Sequence, residues 1–162
     1  MTKLIVSLDT GWRDAYDIIN ALKDYDIMYK LGPKVLYTLD GIEVWKACVM
    51  SNKLVMIDSK FLDIRNTVIE GCKNIAALGA AFLTVHPASF WAALEGVKGT
   101  PTQVLTVTSL TSDYEENHDL QNLADIAVDT GTGLVLGVPD LDSVKDRDIF
   151  FKVTPGIRFA EE

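Results

Sequence analysis

A parallel α/β fold, of the TIM-type (β/α) barrel kind, is predicted by three features of this 162-residue chain. Short apolar runs alternate with longer segments of helical period along the whole length, and near-continuous apolar strands belong to parallel sheets covered by helices. The Gly-rich first turn of a dinucleotide-binding, doubly wound sheet is missing, because the first run ends Leu8-Asp9-Thr10-Gly11-Trp12. Polar residues end almost every run, at Asp9, Lys30, Asp58, Lys60, His86 and Thr108, and in a barrel such ends converge on one mouth.

The elements follow in order. Residues 4–8 are β-rich and form the first strand. Residues 12–22 place Ala15, Ile18, Ile19 and Leu22 at helical spacing. Residues 27–31 are a second strand, stopped by Gly32-Pro33. Residues 35–49 are mostly helical, with an interruption near Asp40-Gly41. Residues 53–59 make the third strand and residues 64–78 a helix, with Gly79 positioned as its C-cap. A fourth strand spans 81–86 and a short helix 88–97. A fifth strand, rich in Val and Thr, spans 102–109, followed by a helix over 117–128. Residues 133–138 are a sixth strand, 141–145 leave room for about one helical turn, and 149–154 are a seventh strand. A closed barrel of this type has eight strands in about 250 residues. The expectation is therefore a truncated barrel, a single domain over residues 1–162 whose first and seventh strands are unpaired edges that invite association.

Composition narrows the function classes. Apolar residues make up 48 % of the chain, enough for a sizeable core. The formal net charge of -8, with no long run of either sign, lacks the basic footprint of a nucleic-acid binder. Cys48 and Cys72 have no metal-ligand spacing and read as free thiols in a reducing compartment. Lys3 precedes only a short apolar run, unlike a signal peptide, and no run approaches the ~20 residues that span a bilayer. The expected location is cytoplasmic, with neither membrane nor nucleic acid as partner.

The most informative segment is Leu54-Val55-Met56-Ile57-Asp58-Ser59-Lys60-Phe61-Leu62-Asp63. Strand alternation points Asp58 and Lys60 the same way, with Cα atoms ~7 Å apart. Leu54 and Met56 share that face and are expected to fill the barrel interior below them. Asp63 lies past the strand, where it could cap the following helix or reach a neighbouring subunit. Two readings stand side by side: a structural ion pair with a helix cap, or a buried charge network kept for chemistry.

Asp58-x-Lys60-x-x-Asp63-Ile64-x-Asn66-Thr67-Val68 resembles the signature of the orotidine 5′-monophosphate decarboxylase family, in which Asp-x-Lys-x-x-Asp is followed by Ile-Pro-Asn-Thr. Leu8-Asp9, Tyr29-Lys30-Leu31-Gly32, Val85-His86, Val107-Thr108-Ser109-Leu110-Thr111-Ser112 and Val153-Thr154-Pro155-Gly156-Ile157-Arg158 resemble other family segments in the same order. The resemblance implies decarboxylation of orotidine 5′-monophosphate to uridine 5′-monophosphate, a step of pyrimidine biosynthesis, with no metal and no organic cofactor. It implies that Lys60 protonates C6 of the pyrimidine and that Asp58 lies beside the scissile carboxylate. Lys30 and Asp63 complete the alternating network, Asp63 reaching in from the partner of a homodimer. Asp9 and Lys30 are expected on the ribose hydroxyls, Ile64 and Thr67 across the dimer, Thr111 on the pyrimidine edge and Pro155 near the base.

The sequence departs from the family at two places. Arg65 stands where the family has proline, adding a cation at the helix start. The family's phosphate grip lies after strand seven and on strand eight, past the end of this sequence, with Arg158 as a candidate substitute. Two other readings compete: a non-catalytic or weakly active relative binding a nucleotide or protein partner, which the phosphate region motivates, and a different enzyme of the same barrel group, such as a metal-dependent sugar-phosphate decarboxylase or an aldolase-like relative. Asn66-Thr67-Val68 favours the pyrimidine branch.

The remaining candidates read more plainly. His86 suits a packed histidine bonded to a loop, and His118 an exposed one. Trp12, Trp45 and Trp91 suit core or interface anchors. Gly131-Thr132-Gly133 suits a turn, and Ser109 and Ser112 lack the partners of a nucleophile.

Overall fold

The computed structural model describes residues 2–108 and 119–156. Among the described residues seven strands form one sheet in sequential order, all neighbours parallel: β1 (Ile5–Ser7), β2 (Met28–Leu31), β3 (Val55–Phe61), β4 (Phe82–Val85), β5 (Gln103–Val107), β6 (Gly133–Val135) and β7 (Phe151–Val153). The helices are α1 (Trp12–Ala21), α2 (Pro33–Leu36), α3 (Gly41–Met50), α4 (Arg65–Ala77), α5 (Phe90–Gly96), α6 (Leu120–Thr130) and α7 (Val138–Ser143). A 3-10 turn, Pro87–Ser89, leads into α5. A doubly wound sheet reverses its strand order part-way; this one never does, so the barrel expectation is met.

The sheet is curled. Phe82 of β4 and Phe151 of β7 meet edge to face with centroids 4.8 Å apart. Three inter-strand steps in a flat sheet are ~14 Å, so these rings touch only because the wall bends round. They belong to an inner apolar cluster of Met28, Met56, Phe82, Leu105, Val107 and Val135, with Ile5 and Val153 packed against it. Residues of opposite parity, including Tyr29, Leu31, Val55, Ile57, Leu83 and Val85, face outward into a larger cluster shared with Ala15, Ile19, Val44, Cys48, Val68 and Cys72 of the covering helices. Strand alternation thus separates a plugged interior from a helix-covered exterior. Among the described residues β1 and β7 are not paired with each other.

Several predicted boundaries move, each for a local reason. Strand three continues through Lys60 and Phe61 because its backbone is bulged rather than ended there. The predicted sixth strand stops at Val135, and Val138 opens α7, since Pro139 has no N–H for a ladder but fits the first turn of a helix. Leu54 does not plug the interior; it precedes β3 and is 47 % exposed, while Met56 does the plugging. The break at Asp40-Gly41 is real. Gly41 lies so close to α2 that a Cβ would stand 2.4 Å from the Val35 carbonyl oxygen. Gly79 and Gly131 adopt left-handed conformations just past α4 and α6, as turn glycines do. Of the tryptophans only Trp45 is core; Trp12 and Trp91 are exposed. Cys48 and Cys72 are free and buried. No helix among the described residues is long and apolar enough to cross a membrane.

Candidate active site

At the carboxyl ends of β1, β2 and β3, four charged side chains form a continuous alternating chain. The Asp9 carboxylate is 3.3 Å from the Lys30 ammonium, which is 3.0 Å from Asp58 Oδ2; Asp58 Oδ1 lies 2.9 Å from the Lys60 ammonium. The sheet sets this order. Ser7 pairs with Lys30 in register, and Lys30 with Met56, so the inward residues that follow fall side by side. Sequence reasoning put Asp58 and Lys60 on one face, and the ion pair between them bears that out.

Burial is graded along the chain. Asp58 is 8 % exposed and rests on the Met56 layer, whereas the Lys60 side chain is 43 % exposed at the mouth. Burial pushes the Asp58 carboxyl up, but the Lys60 hydrogen bond and the charge of Lys30 pull it further down, below the ordinary carboxylate value. Burial depresses the Lys30 ammonium, and the bonds and charges of Asp58 and then Asp9 more than reverse this, holding it above the ordinary lysine value. Both groups therefore keep their charges near neutral pH. Asp58 Oδ1 also accepts 2.9 Å from the Thr84 hydroxyl, and Ser7 Oγ donates 2.6 Å to Asp9. An ammonium at the mouth, held by a buried carboxylate that Lys30 and Thr84 also bond, can neutralise a developing anion and deliver a proton.

Other expected site residues stand apart. Asp63 is exposed, and its carboxylate accepts from its neighbour's amide, Ile64 N, at 2.7 Å; it is not part of the intrachain network. Ile64 caps the start of α4 by backbone position and is exposed, as is Thr67 one turn on. Pro155 lies exposed just past β7. Thr111, His118, Ser109, Ser112 and Arg158 fall outside the described residues. Arg65, at the first position of α4, pairs with Glu95 of α5, which offsets a cation at the positive end of the helix dipole. The His86 Nδ1 accepts from Ala88 N at 3.2 Å, consistent with a packed histidine bonded to its loop.

Thr84 and Ser7 were not singled out from the sequence. Thr84 carried a signal: it is the lone hydroxyl among the apolar residues of Phe82–Val85, and it shares the inward parity of Phe82. An open groove lies elsewhere, between α5 and the start of β5 and β6, lined by Trp91, Glu95, Lys98, Gln103 and Thr132; none of the charged network lines it.

Known proteins resemble the chain throughout. Residues 2–162 match the family described as "Orotidine 5'-phosphate decarboxylase / HUMPS family". Orotidine 5'-phosphate decarboxylases from Afipia carboxidovorans and from Rhodopseudomonas palustris are each 38 % identical over 148 residues, which is 90 % of this chain and 58 % of the relative. The chain thus spans little more than half the length of these curated relatives. Among solved structures, the orotidine 5'-phosphate decarboxylase of Lactobacillus acidophilus superposes with a TM-score of 0.79 at 28 % identity, covering 98 % of this chain and 82 % of that one. An uncharacterized conserved protein from Geobacillus kaustophilus gives 0.78 at 25 % identity, covering 94 % and 82 %.

Proposed function

The chain belongs to the orotidine 5'-phosphate decarboxylase / HUMPS family, and from that premise we propose that it decarboxylates orotidine 5′-monophosphate to uridine 5′-monophosphate without a cofactor. The observation that carries this reading is the alternating Asp9–Lys30–Asp58–Lys60 chain at the barrel mouth. The substrate carboxylate lies beside Asp58. Its bond to C6 breaks, CO2 leaves, and the electron pair remains in the ring plane at C6, where no π system delocalises it. The Lys60 ammonium stabilises that charge and transfers its proton to C6; the neutral amine is then reprotonated from solvent. The advantage is electrostatic: the ammonium is already in place, so little reorganisation is needed at the moment charge develops. Repulsion between Asp58 and the bound carboxylate is a further contribution, relieved as CO2 leaves.

Asp9 and Lys30 bind ribose hydroxyls in this reading, Thr111 meets the pyrimidine edge and Pro155 flanks the base. Asp63, Ile64 and Thr67, all exposed in the single chain, serve the site of a second copy in a homodimer. The reaction belongs to cytoplasmic pyrimidine biosynthesis.

Following pyrimidine absorbance after mixing protein with orotidine 5′-monophosphate tests the activity. Lys60→Ala is expected to lose turnover by orders of magnitude with the fold retained. A folded wild-type protein that shows none at high concentration would count against the reading. Turnover of a sugar phosphate that requires Mg²⁺ would move the assignment to the other branch of the family.

A further inference from the structure

The catalytic strand carries a distortion that one residue of its neighbour absorbs. Register between β3 and β4 runs Met56 with Phe82 and Ile57 with Leu83, then resumes at Phe61 with Val85. Four steps along β3 therefore face two along β4. Two extra residues preserve the alternation, so Ile57 and Phe61 both face the helices while Asp58 and Lys60 both face the mouth. Inside the bulge Lys60 takes φ 47°, a left-handed conformation that non-glycine residues rarely adopt. A residue held there needs a surrounding structure that fixes it.

Thr84, the residue opposite the bulge, makes three contacts with three consecutive residues. Its Oγ1 accepts from Lys60 N at 2.9 Å and donates to Asp58 Oδ1 at 2.9 Å, and its carbonyl oxygen accepts from Ser59 Oγ at 3.2 Å. The hydroxyl is suited to both roles at once, with one proton for the acceptor-only carboxylate and lone pairs for the amide. Thr84 is wholly buried, so no solvent competes for these bonds, and β-branching restricts its rotamer.

We propose that Thr84 is a positioning residue that sets the geometry of Lys60 and Asp58 together, by replacing the ladder bonds lost at the bulge with a side-chain clamp. It touches no reacting atom. Its link to catalysis rests on the decarboxylase reading above; the clamp itself does not.

Thr84→Val keeps the shape and removes the hydroxyl, and Thr84→Ser keeps the hydroxyl. In Thr84→Val, kcat is expected to fall roughly 100-fold with KM little changed, as for a small misplacement of a reacting group. Thr84→Ser is expected to restore most of the loss. Independently of turnover, the Asp58 carboxyl, read by carbon NMR, should titrate at higher pH in Thr84→Val than in wild type, because a bond to its charged form is gone; Lys30, Lys60 and, through Lys30, Asp9 remain its charged neighbours. Amide exchange in the wild-type protein gives a reading that needs no variant: the Lys60 amide should be protected although its side chain is at the surface. An unprotected Lys60 amide, or an Asp58 titration unchanged in Thr84→Val, overturns the clamp. A shifted titration with kcat unaltered overturns its catalytic role. Absence of turnover in the wild type would sink the decarboxylase reading while leaving the titration and exchange to decide the clamp.

Discussion

Lys30 holds the middle of the charged chain, and its two carboxylates explain why the network survives partial burial. Removing its ammonium leaves Asp58 with Lys60 as its remaining cation and Asp9 without its ion pair. Breaking one member of a largely buried pair is costly because the other charge stays desolvated, so Lys30→Met is expected to lose on the order of 2–4 kcal/mol, measured as a shift in urea midpoint. Asp58 also sets an acid limit. Its folded-state value lies below the ordinary one, so the unfolded chain takes up a proton first as pH falls. The stabilisation is complete above the ordinary carboxylate value of about 4 and disappears as pH drops through the depressed folded value. Asp58→Asn should therefore flatten the acid limb of a stability-versus-pH curve. An unchanged limb would show that other carboxylates set it.

At the scale of elements, the site depends on β3 being held between two well-fitted layers. Its inner face stands on Met56, and its outer face packs through Val55 and Ile57 onto the cluster that includes α3 and α4. The α4–α5 contact behind the sheet is close because Gly96 has no side chain. A Cβ there would stand 2.6 Å from the Ile69 carbonyl oxygen and 2.8 Å from Cys72 Cβ, and backbone cannot yield cheaply. Gly96→Ala is expected to destabilise by about 1–3 kcal/mol in equilibrium unfolding, the usual cost of overpacking. Arg65 and Glu95 join the same two helices across the solvent face. Both are exposed, so Arg65→Ala should change stability little, by less than about 1 kcal/mol.

For the whole molecule, two consequences follow, one from the buried thiols and a second from the exposed Asp63. Burial pushes the Cys48 thiol up to about 12 and the Cys72 thiol up to about 11, against an ordinary 9.0. Above the ordinary value the unfolded chain loses these protons while the folded one keeps them. Stability is thus full below that value and falls as pH rises towards the folded ones, by about 1.4 kcal/mol per unit for each thiol. Cys48→Ala with Cys72→Ala should reduce that alkaline slope, whatever it does to stability at neutral pH. The second consequence concerns assembly. If the Asp63 carboxylate serves a neighbouring copy, Lys60→Ala and Asp63→Ala are each inactive alone, and mixing them under exchange regenerates intact sites. Activity that stays absent on mixing, in a preparation shown by sedimentation to contain mixed dimers, argues against sharing across subunits.

Alternation of period two, read from Leu54 to Lys60, was enough to place Asp58 and Lys60 together, because side-chain facing along a strand is a local property of the backbone. The order of apolar runs likewise sufficed for seven parallel strands, and Gly32-Pro33 for the end of β2. What the sequence by itself could not determine was pairing across strands. Thr84 meets residues 58, 59 and 60 because a bulge shifts register there, and Arg65 meets Glu95 because α4 and α5 pack closely. Leu54 falls before β3 and is exposed, since spacing says which face a strand residue would take and not where the strand begins or what covers it. Those outcomes depend on residues remote in the chain, and only the closed packing of the tertiary structure brings them into contact.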